Sequence, residues 1–196
     1  MKERKSTISR VTKETSIELS LNLDGTGKCE CSTGIGFLDH MFTLLARHSL
    51  IDVTIKATGD TEVDYHHSVE DIGLAFGTAL DKALNDRAGI RRYGFFLMPM
   101  DDSLCELALD LGGRPFLSYS TIVENSFVRD FDTRIFEDFF RSVSVNGRLN
   151  LHVKQTGSDE AHHAIESIFK AFARALRSAV EIDPRESGIP SSKGLL

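Results

Sequence analysis

The sequence has little of what marks secreted or membrane proteins. Its three cysteines, Cys29, Cys31 and Cys105, are odd in number and form no C-x-x-C pair, which argues against a disulfide framework and favours reduced thiols. No apolar run approaches the ~18 residues that span a bilayer. No hydrophobic segment follows the charged N-terminal residues, as it would in a secretory signal. We therefore expect a cytoplasmic protein with no membrane partner.

The sequence also lacks a basic stripe. The net charge is −6, so no nucleic-acid partner is expected, and any anionic ligand must be small and bound by a local cluster of arginine and lysine. The contents of 41% hydrophobic and 27% charged residues are close to the averages for soluble domains. A chain of 196 residues can bury a sizeable core, and we expect a globular fold.

Two short segments carry the same unusual pattern. Residues 64–71 and 159–166 both contain His-His-x-x-Glu, and the two pairs account for four of the seven histidines. If the segments are helical, Glu70 lies one turn beyond both His66 and His67, so nitrogen and oxygen donors project from one side of the helix. This spacing predicts metal ligands.

The two patterns are part of a longer internal repeat. Residues 18–25 match residues 106–113 at an offset of 106 − 18 = 88. Residues 51–56 match residues 149–154 at an offset of 149 − 51 = 98, and the two His-His-x-x-Glu motifs match at 162 − 66 = 96. A repeat whose matched positions include the candidate ligands is hard to explain by helix packing alone.

The repeat divides the chain into two halves of one compact domain. We assign residues 1–90 to the first half, residues 91–183 to the second half and residues 184–196 to a flexible tail. The offset of 138 − 40 = 98 makes Asp138 the counterpart of His40.

Each half has the periodicities of a β-β-α-β-α unit. In the first half, alternating apolar and polar residues predict strands, and apolar stripes at helical spacing predict helices. The strands are residues 15–23, about 28–33 and 50–57, and the helices are residues 37–48 and about 67–85. We expect an α+β fold in which each half is a mainly antiparallel sheet with helices packed on one face.

The donor types restrict the metal. Imidazole and carboxylate without thiolate suit Mn²⁺, Fe²⁺ or Zn²⁺, and the sequence does not rank the three. Adjacent helical residues point about 100° apart, so His66 and His67 are expected to bind different ions. The two motifs then imply two ions, which either share a dinuclear centre or lie apart and are completed by neighbouring subunits. Duplicated halves with exposed sheet edges favour a homo-oligomer.

Two other functions fit the same residue types. A dinuclear hydrolase acting on a phosphoester would also use paired histidine and carboxylate ligands, in that case to activate water. A structural or storage protein would use the ions only to hold subunits together. The hydrolase would release inorganic phosphate, whereas ligand substitutions in the storage protein would disrupt assembly without affecting any turnover.

Longer motifs extend over nearly the whole chain. They are Gly36-Phe37-Leu38-Asp39-His40-Met41, Ala46-Arg47-His48, Asp64-Tyr65-His66-His67-Ser68-Val69-Glu70-Asp71, Arg92-Tyr93-Gly94, Asp110-Leu111-Gly112-Gly113-Arg114-Pro115, His162-His163-x-x-Glu166, Phe169-Lys170-Ala171 and Pro190-Ser191-Ser192-Lys193-Gly194. In this order they resemble the imidazoleglycerol-phosphate dehydratase family of histidine biosynthesis. The resemblance implies a fold like domain 2 of ribosomal protein S5 and an assembly of 24 subunits with sites at subunit interfaces.

The resemblance also implies a reaction. It is the loss of water from D-erythro-imidazole glycerol phosphate, which gives imidazole acetol phosphate in the pathway to L-histidine. Two Mn²⁺ ions per active site are implied, with the imidazole of the substrate bridging them.

The family's metal ligands can be carried over to positions of this chain. Seven of them match the family pattern: His40, His66, His67, Glu70, His162, His163 and Glu166. At an eighth position many relatives have histidine and this chain has Asp138. We expect Asp138 to be a ligand, because a carboxylate also binds Mn²⁺ and the repeat places Asp138 opposite His40. The alternative is His152, whose counterpart in the repeat is Thr54.

The remaining site residues are implied by the same resemblance. Glu14, His48 and Glu166 are candidates for the general acid and base, and which residue has which role stays open. Glu14 also resembles a substrate-contacting glutamate of the family. The contacts to the substrate phosphate fall on Arg92, Arg114, Lys170, Ser191, Ser192 and Lys193. We expect the C-terminal tail to become ordered when a phosphate-bearing ligand binds.

Overall fold

A computed structural model describes residues 3–123 and 125–196, so the first two residues of the charged N-terminal segment and Glu124 lie outside the description. The first half of the chain forms a four-stranded sheet and two helices. In chain order these are β1 (Lys5–Val11), β2 (Thr15–Asn22), β3 (Cys29–Ser32), α1 (Gly36–Ser49), β4 (Asp52–Gly59) and α2 (His66–Leu84).

The second half repeats this order with an insertion before its first helix. Its elements are β5 (Tyr93–Met100), β6 (Ser103–Asp110), β7 (Phe116–Ser120), α3 (Phe136–Asn146), β10 (Asn150–Thr156) and α4 (Ala161–Val180). The insertion contains the short ribbon of β8 (Phe127–Val128) and β9 (Phe131–Asp132), followed by one 3₁₀ turn (Thr133–Ile135).

The two large sheets have the same topology. The strand orders are β1-β2-β4-β3 and β5-β6-β10-β7, and in each sheet only the last pair is parallel. The registers also correspond, because Leu19 pairs with Ile55 in the first sheet and Leu107 pairs with Val153 in the second. The predicted α+β class, with two mainly antiparallel sheets, is confirmed.

Each half contains one strand that the sequence did not reveal. The first strand of the first half, β1, buries only Ile8, so it shows no apolar alternation. The corresponding strand β5 is apolar on both faces and shows no alternation either. A period of two is visible only when one face is buried and the other is polar.

The four helices lie between the two sheets. Helix α2 packs on the first sheet and α4 on the second, and the halves are joined by contacts of α1 with α4 and of α2 with α3. Phenylalanine rings from both halves meet there: the ring centroid of Phe42 lies 5.8 Å from that of Phe139 and 6.5 Å from that of Phe169. Rings of this kind bury large apolar areas, so one core serves both halves.

All four helices begin at the same end of the molecule. The Phe37 ring, near the start of α1, lies 6.0 Å from Phe136 at the start of α3 and 5.2 Å from His162 at the start of α4. The Tyr65 ring, just before α2, stacks on Phe131 at 5.5 Å. Both His-His-x-x-Glu motifs therefore lie at this end, which we call the histidine end.

Two glycines of α2, Gly73 and Gly77, allow the close approach of α2 and α3. A Cβ atom at Gly73 would lie 2.7 Å from the backbone oxygen of Phe139, which requires the helices to separate. We expect Gly73→Ala to destabilise the protein by about 1–3 kcal/mol, although alanine is the better helix former. Gly36→Ala is the matched control, since nothing lies within 4 Å of its Cβ position. Chemical denaturation measures both, and equal midpoints for the two variants would contradict the packing argument.

Candidate metal centre

The first group of candidate ligands joins α1 to α4, and we call it the His40 cluster. The Nε2 atom of His40 lies 3.4 Å, and that of His162 3.2 Å, from Oε2 of Glu166. One ligand atom from each residue lies within 4.8 Å of the others. The glutamate side chain is only 10% exposed, whereas both imidazoles are almost half exposed. The glutamate of the cluster is thus held in the protein interior, and the two imidazoles are accessible to solvent.

The second group joins α3 to α2, and we call it the His66 cluster. In this cluster Nε2 of His66 lies 3.6 Å from Oε2 of Glu70, and Nδ1 of His66 lies 3.9 Å from Oδ2 of Asp138. The two clusters are counterparts under the repeat. Each takes one ligand from the shorter helix of one half and a histidine and a glutamate, spaced i, i+4, from the longer helix of the other half.

Side-chain hydrogen bonds fix where the ligand-bearing helices begin. The Thr33 backbone N–H and hydroxyl both donate to Oδ1 of Asp39, at 3.0 and 2.8 Å, beside His40. The backbone N–H of His66 donates to Oδ1 of Asp64 at 2.7 Å. The Asp64 carboxylate satisfies an N–H of α2 that has no partner within the helix, whereas the two bonds to Asp39 tie the segment before α1 to its first turn.

The second histidine of each pair faces a different acidic group. Nδ1 of His67 lies 2.9 Å from Asp60 and 3.9 Å from Glu14. The planes of the His66 and His67 rings are inclined by 87°. The adjacent histidines therefore face different surroundings, as their helical spacing predicts.

The same arrangement recurs in the second half. Nδ1 of His163 lies 3.7 Å from Asp101 and 3.8 Å from Asp102, and its Nε2 lies 3.8 Å from Glu160. The offset of 102 − 14 = 88 makes Asp102 the counterpart of Glu14. Sequence reasoning missed Asp60, Asp101, Asp102 and Glu160, although extending the repeat from Glu14 would have identified Asp102.

A lysine keeps the buried glutamate ionised. Burial opposes the charge on Glu166, but the Lys170 ammonium, 2.5 Å from Oε1, and the His40 ring outweigh it, so the pKa of Glu166 lies below its ordinary value. A carboxylate that is already deprotonated binds a cation without first releasing a proton.

The donors fit a divalent ion of the borderline type. Each cluster combines imidazole nitrogen with carboxylate oxygen and contains no thiolate. In the His40 cluster, where one donor atom of each residue lies within 4.8 Å of the others, an ion can sit about 2.0–2.2 Å from each atom after small side-chain movements. In the His66 cluster, Glu70 and Asp138 face different nitrogens of His66, so binding of one ion by all three residues requires the imidazole to turn. The exposed side of each cluster leaves positions for further ligands.

The geometry favours Asp138 over His152 as the eighth ligand. His152 lies on β10, and its exposed ring packs 5.4 Å from the ring of Phe116 on the outer face of the second sheet. The helices that carry both clusters lie on the opposite face of that sheet. Asp138 lies beside His66.

All but one of the predicted phosphate contacts lie together in a pocket that contains none of the candidate metal ligands. A pocket of about 390 Å³ is lined by Arg92, Arg114, Ser191, Ser192 and Lys193. Arg92 donates to both oxygens of Asp110, at 2.6 and 3.0 Å, and to the backbone oxygen of Pro190 at 2.8 Å, which attaches the tail. The exception is Lys170, which lies on α4 beside Glu166.

This pocket and the histidine end lie at opposite ends of one chain. Arg92 immediately precedes β5, and Asp101, beside His163, immediately follows it. The strand has eight residues, which at ~3.3 Å per residue span roughly 26 Å. A small ligand therefore cannot contact both groups of residues within a single copy.

Comparison with known proteins decides the family. Residues 33–176 match the family model described as imidazoleglycerol-phosphate dehydratase. The chain belongs to this dehydratase family. Relatives of that name from Prochlorococcus marinus (strain NATL1A) and Rhodopirellula baltica are 51% and 52% identical over 196 and 193 residues. The matches cover 100% and 98% of this chain, and 97% and 96% of the relatives. Dehydratases of this kind are hydro-lyases.

Solved structures agree with this assignment. The imidazoleglycerol-phosphate dehydratase of Staphylococcus aureus superposes with a TM-score of 0.83 and 37% identity, over 91% of this chain and 99% of that chain. The enzyme from Pyrococcus furiosus, in complex with (S)-C348, superposes with a TM-score of 0.79 and 32% identity, over 96% and 100% of the two chains. Within residues 3–123 and 125–196, no helix is both long and apolar enough to cross a membrane.

Two of the histidines, His67 and His48, are predicted to titrate in a definite order. A hydrogen bond with Asp60 raises the pKa of His67 above its ordinary 6.5. Burial, together with the charges of Lys170 and Arg174, lowers the pKa of His48. In metal-depleted protein, NMR titration should show His67 losing its proton at higher pH than His48. Asp60→Asn should lower the pKa of His67 and leave that of His48 unchanged, and an unchanged His67 would contradict the assigned contact.

Proposed function

We propose that the protein catalyses the manganese-dependent dehydration of D-erythro-imidazole glycerol phosphate to imidazole acetol phosphate in L-histidine biosynthesis. The proposal rests chiefly on the two matched clusters of imidazole and carboxylate, in a chain of the dehydratase family. The imidazole ring of this substrate has two nitrogens, which suits two metal sites built from the same kinds of ligand.

The described residues divide into two metal-binding sets. His40, His162 and Glu166 would hold one Mn²⁺, and His66, Glu70 and Asp138 would hold the other. His67 and His163 face away from these sets and would complete metal sites together with neighbouring copies. The bound ions would act as Lewis acids that stabilise the charge developing on the substrate's imidazole as the hydroxyl leaves.

Proton transfer is assigned to carboxylates near the ligands. Glu14 lies 3.9 Å from His67 and its side chain is 55% exposed, so it is available to take a proton from a bound substrate carbon. Glu166 stays ionised because of Lys170 and acts chiefly in binding. His48 lies eight positions after His40 on α1, about 12 Å along the helix axis, so a direct role in proton transfer is less favoured.

Lys170 and the pocket at the opposite end are assigned to the substrate phosphate. Arg92 is held by Asp110, and its hydrogen bond to Pro190 places Ser191 and Lys193 beside Arg114. Serine hydroxyls and fixed cations are the donors that a phosphate requires. In a complete site this pocket would come from a different copy than the metal ligands, since the two regions of one chain lie so far apart.

The outer face of the second sheet gives further support to a homo-oligomer. Phe95 on β5 is 80% exposed, and its neighbours Tyr93 and Leu97 on the same face are also exposed. At an offset of 88 their counterparts on β1 are Lys5, Thr7 and Ser9. Exposed apolar surface on one of two equivalent sheets is typical of an interface. An assembly of 24 subunits and a cytoplasmic location stay predictions from the resemblance and the composition.

Product analysis tests the proposed reaction. Manganese-loaded protein should convert imidazole glycerol phosphate to a keto product that retains its phosphate, and a chelator should abolish turnover. Release of inorganic phosphate would indicate hydrolysis instead. Full activity after chelation, with loss of assembly alone, would support a structural role for the metal.

Ligand substitutions test the two clusters. Asp138→Ala and His162→Ala should each weaken manganese binding by roughly 100-fold or more, since removal of even an indirect contact to a metal costs 10–100-fold. Asp138→His should retain the metal because imidazole replaces carboxylate. His152→Ala is the control and should keep the wild-type manganese content. Loss of manganese in His152→Ala, with retention in Asp138→Ala, would overturn the assignment of the eighth ligand.

Mixing inactive variants tests whether sites are shared between copies. Truncation after Ile189 removes residues 190–196 of the tail and His162→Ala removes a proposed metal ligand, so each variant alone should be nearly inactive. When the two are dissociated and reassembled together, activity should return, because some sites combine an intact tail from one copy with intact ligands from another. Mixtures no more active than the separate variants would show that each site uses one chain only.

A further inference from the structure

Two of the three cysteines lie side by side, and neither belongs to the metal clusters. Cys29 and Cys31 occupy alternate positions of β3, and their Sγ atoms are 3.0 Å apart. Both thiols are half-buried between this strand and the start of α1. Alternate residues of a strand point to the same face, so the strand itself holds the pair together.

The two thiols are chemically different. A hydrogen bond from the Cys31 thiol lowers the pKa of Cys29, and the Thr43 hydroxyl contributes a weaker one at 3.9 Å. The same contact, together with burial, raises the pKa of Cys31. Cys29 is therefore the better nucleophile, and Cys31 is a neighbouring thiol positioned to react with it.

The internal repeat shows that packing alone does not require cysteine here. Cys29 pairs with Val53 in the first sheet, and Leu117 pairs with the equivalent Leu151 in the second. Leu117 is thus the counterpart of Cys29, and Tyr119 that of Cys31. Side chains without thiols fill the corresponding inward positions, so a pair of adjacent thiols is a feature of the first half only.

A disulfide bond at this place requires β3 to contract. Alternate Cα atoms of a strand are about 6.6–6.8 Å apart, at the upper end of the range that a disulfide spans, and its Cβ atoms must come to about 3.5–4.5 Å. Among the described strands β3 lies at the edge of its sheet and pairs only with β4, so the contraction disturbs one neighbour. A bond closed with some strain is also readily reduced.

We propose that Cys29 and Cys31 form a redox-sensitive dithiol site that a hydroperoxide converts to an intrachain disulfide. The Cys29 thiolate attacks the peroxide oxygen to give a sulfenic acid and release an alcohol or water. The Cys31 sulfur then attacks the sulfenic sulfur, which forms the S–S bond and releases water. Overall the two thiols lose two protons and two electrons, and the hydroperoxide is reduced. The site does not depend on the proposed dehydration.

Thiol counting on the native protein tests the proposal. Folded wild-type protein is treated with hydrogen peroxide, alkylated and digested, and its peptides are identified by mass spectrometry. We expect Cys29 and Cys31 to disappear together into one linked peptide, and a dithiol reductant to restore both. Cys105 should stay reduced, because it is fully buried and burial raises its pKa to about 12.

Single variants assign the two roles. In Cys31→Ser, Cys29 should accumulate as sulfenic or sulfinic acid, since no second thiol is present to close the bond. In Cys29→Ser, Cys31 should stay a thiol, and Cys105→Ser should behave as wild type. The proposal is overturned if wild-type Cys29 and Cys31 both remain free thiols. It is equally overturned if the disulfide links two chains, or if Cys105 is consumed as fast as Cys29.

Discussion

Packing of each short helix against the long helix of the other half is the constraint on which the site depends. Because α1 contacts α4, His40 reaches Glu166, and because α3 contacts α2, Asp138 reaches His66. Neither half alone brings three ligands together. The glycines of α2 and the phenylalanine core between the sheets set the spacing of the helices, so the candidate metal centre and the hydrophobic core depend on the same helix contacts.

The candidate metal ligands and the phosphate pocket lie at opposite ends of the strands. This separation explains why catalysis depends on assembly in our proposal. All helices begin at the histidine end, whereas Arg92 and the C-terminal tail occupy the opposite end of β5. A substrate with an imidazole at one end and a phosphate at the other is much shorter than this strand. Its two ends would therefore be bound by different copies, and the exposed apolar face of the second sheet offers a contact through which copies associate.

The sequence predicted those features that leave a periodic or repeated signal. The duplicated motifs predicted candidate ligands in both clusters, and the offset of 98 between the repeats related His40 to Asp138. Strands β1 and β5 were missed because neither alternates between buried apolar and exposed polar residues. The repeat also makes Asp102, beside His163, the counterpart of Glu14, although Asp102 lies in no motif.

Other features depend on tertiary structure and left no such signal. The contact of His40 with Glu166 joins residues 126 positions apart, and it exists only because α1 packs on α4. The position of His152 on the outer sheet face, beside Phe116, likewise depends on how the strands pair. The distance between the metal ligands and the phosphate pocket follows from strand direction, which local residue patterns do not reveal.

Location of the bound metal tests the central claim most directly. Crystals of manganese-loaded protein, measured at the manganese absorption edge, would show each ion by its anomalous scattering. The account predicts two manganese positions per chain, one bonded to His40, His162 and Glu166 and the other to His66, Glu70 and Asp138. A single position per chain, or manganese bound away from both clusters, would contradict it.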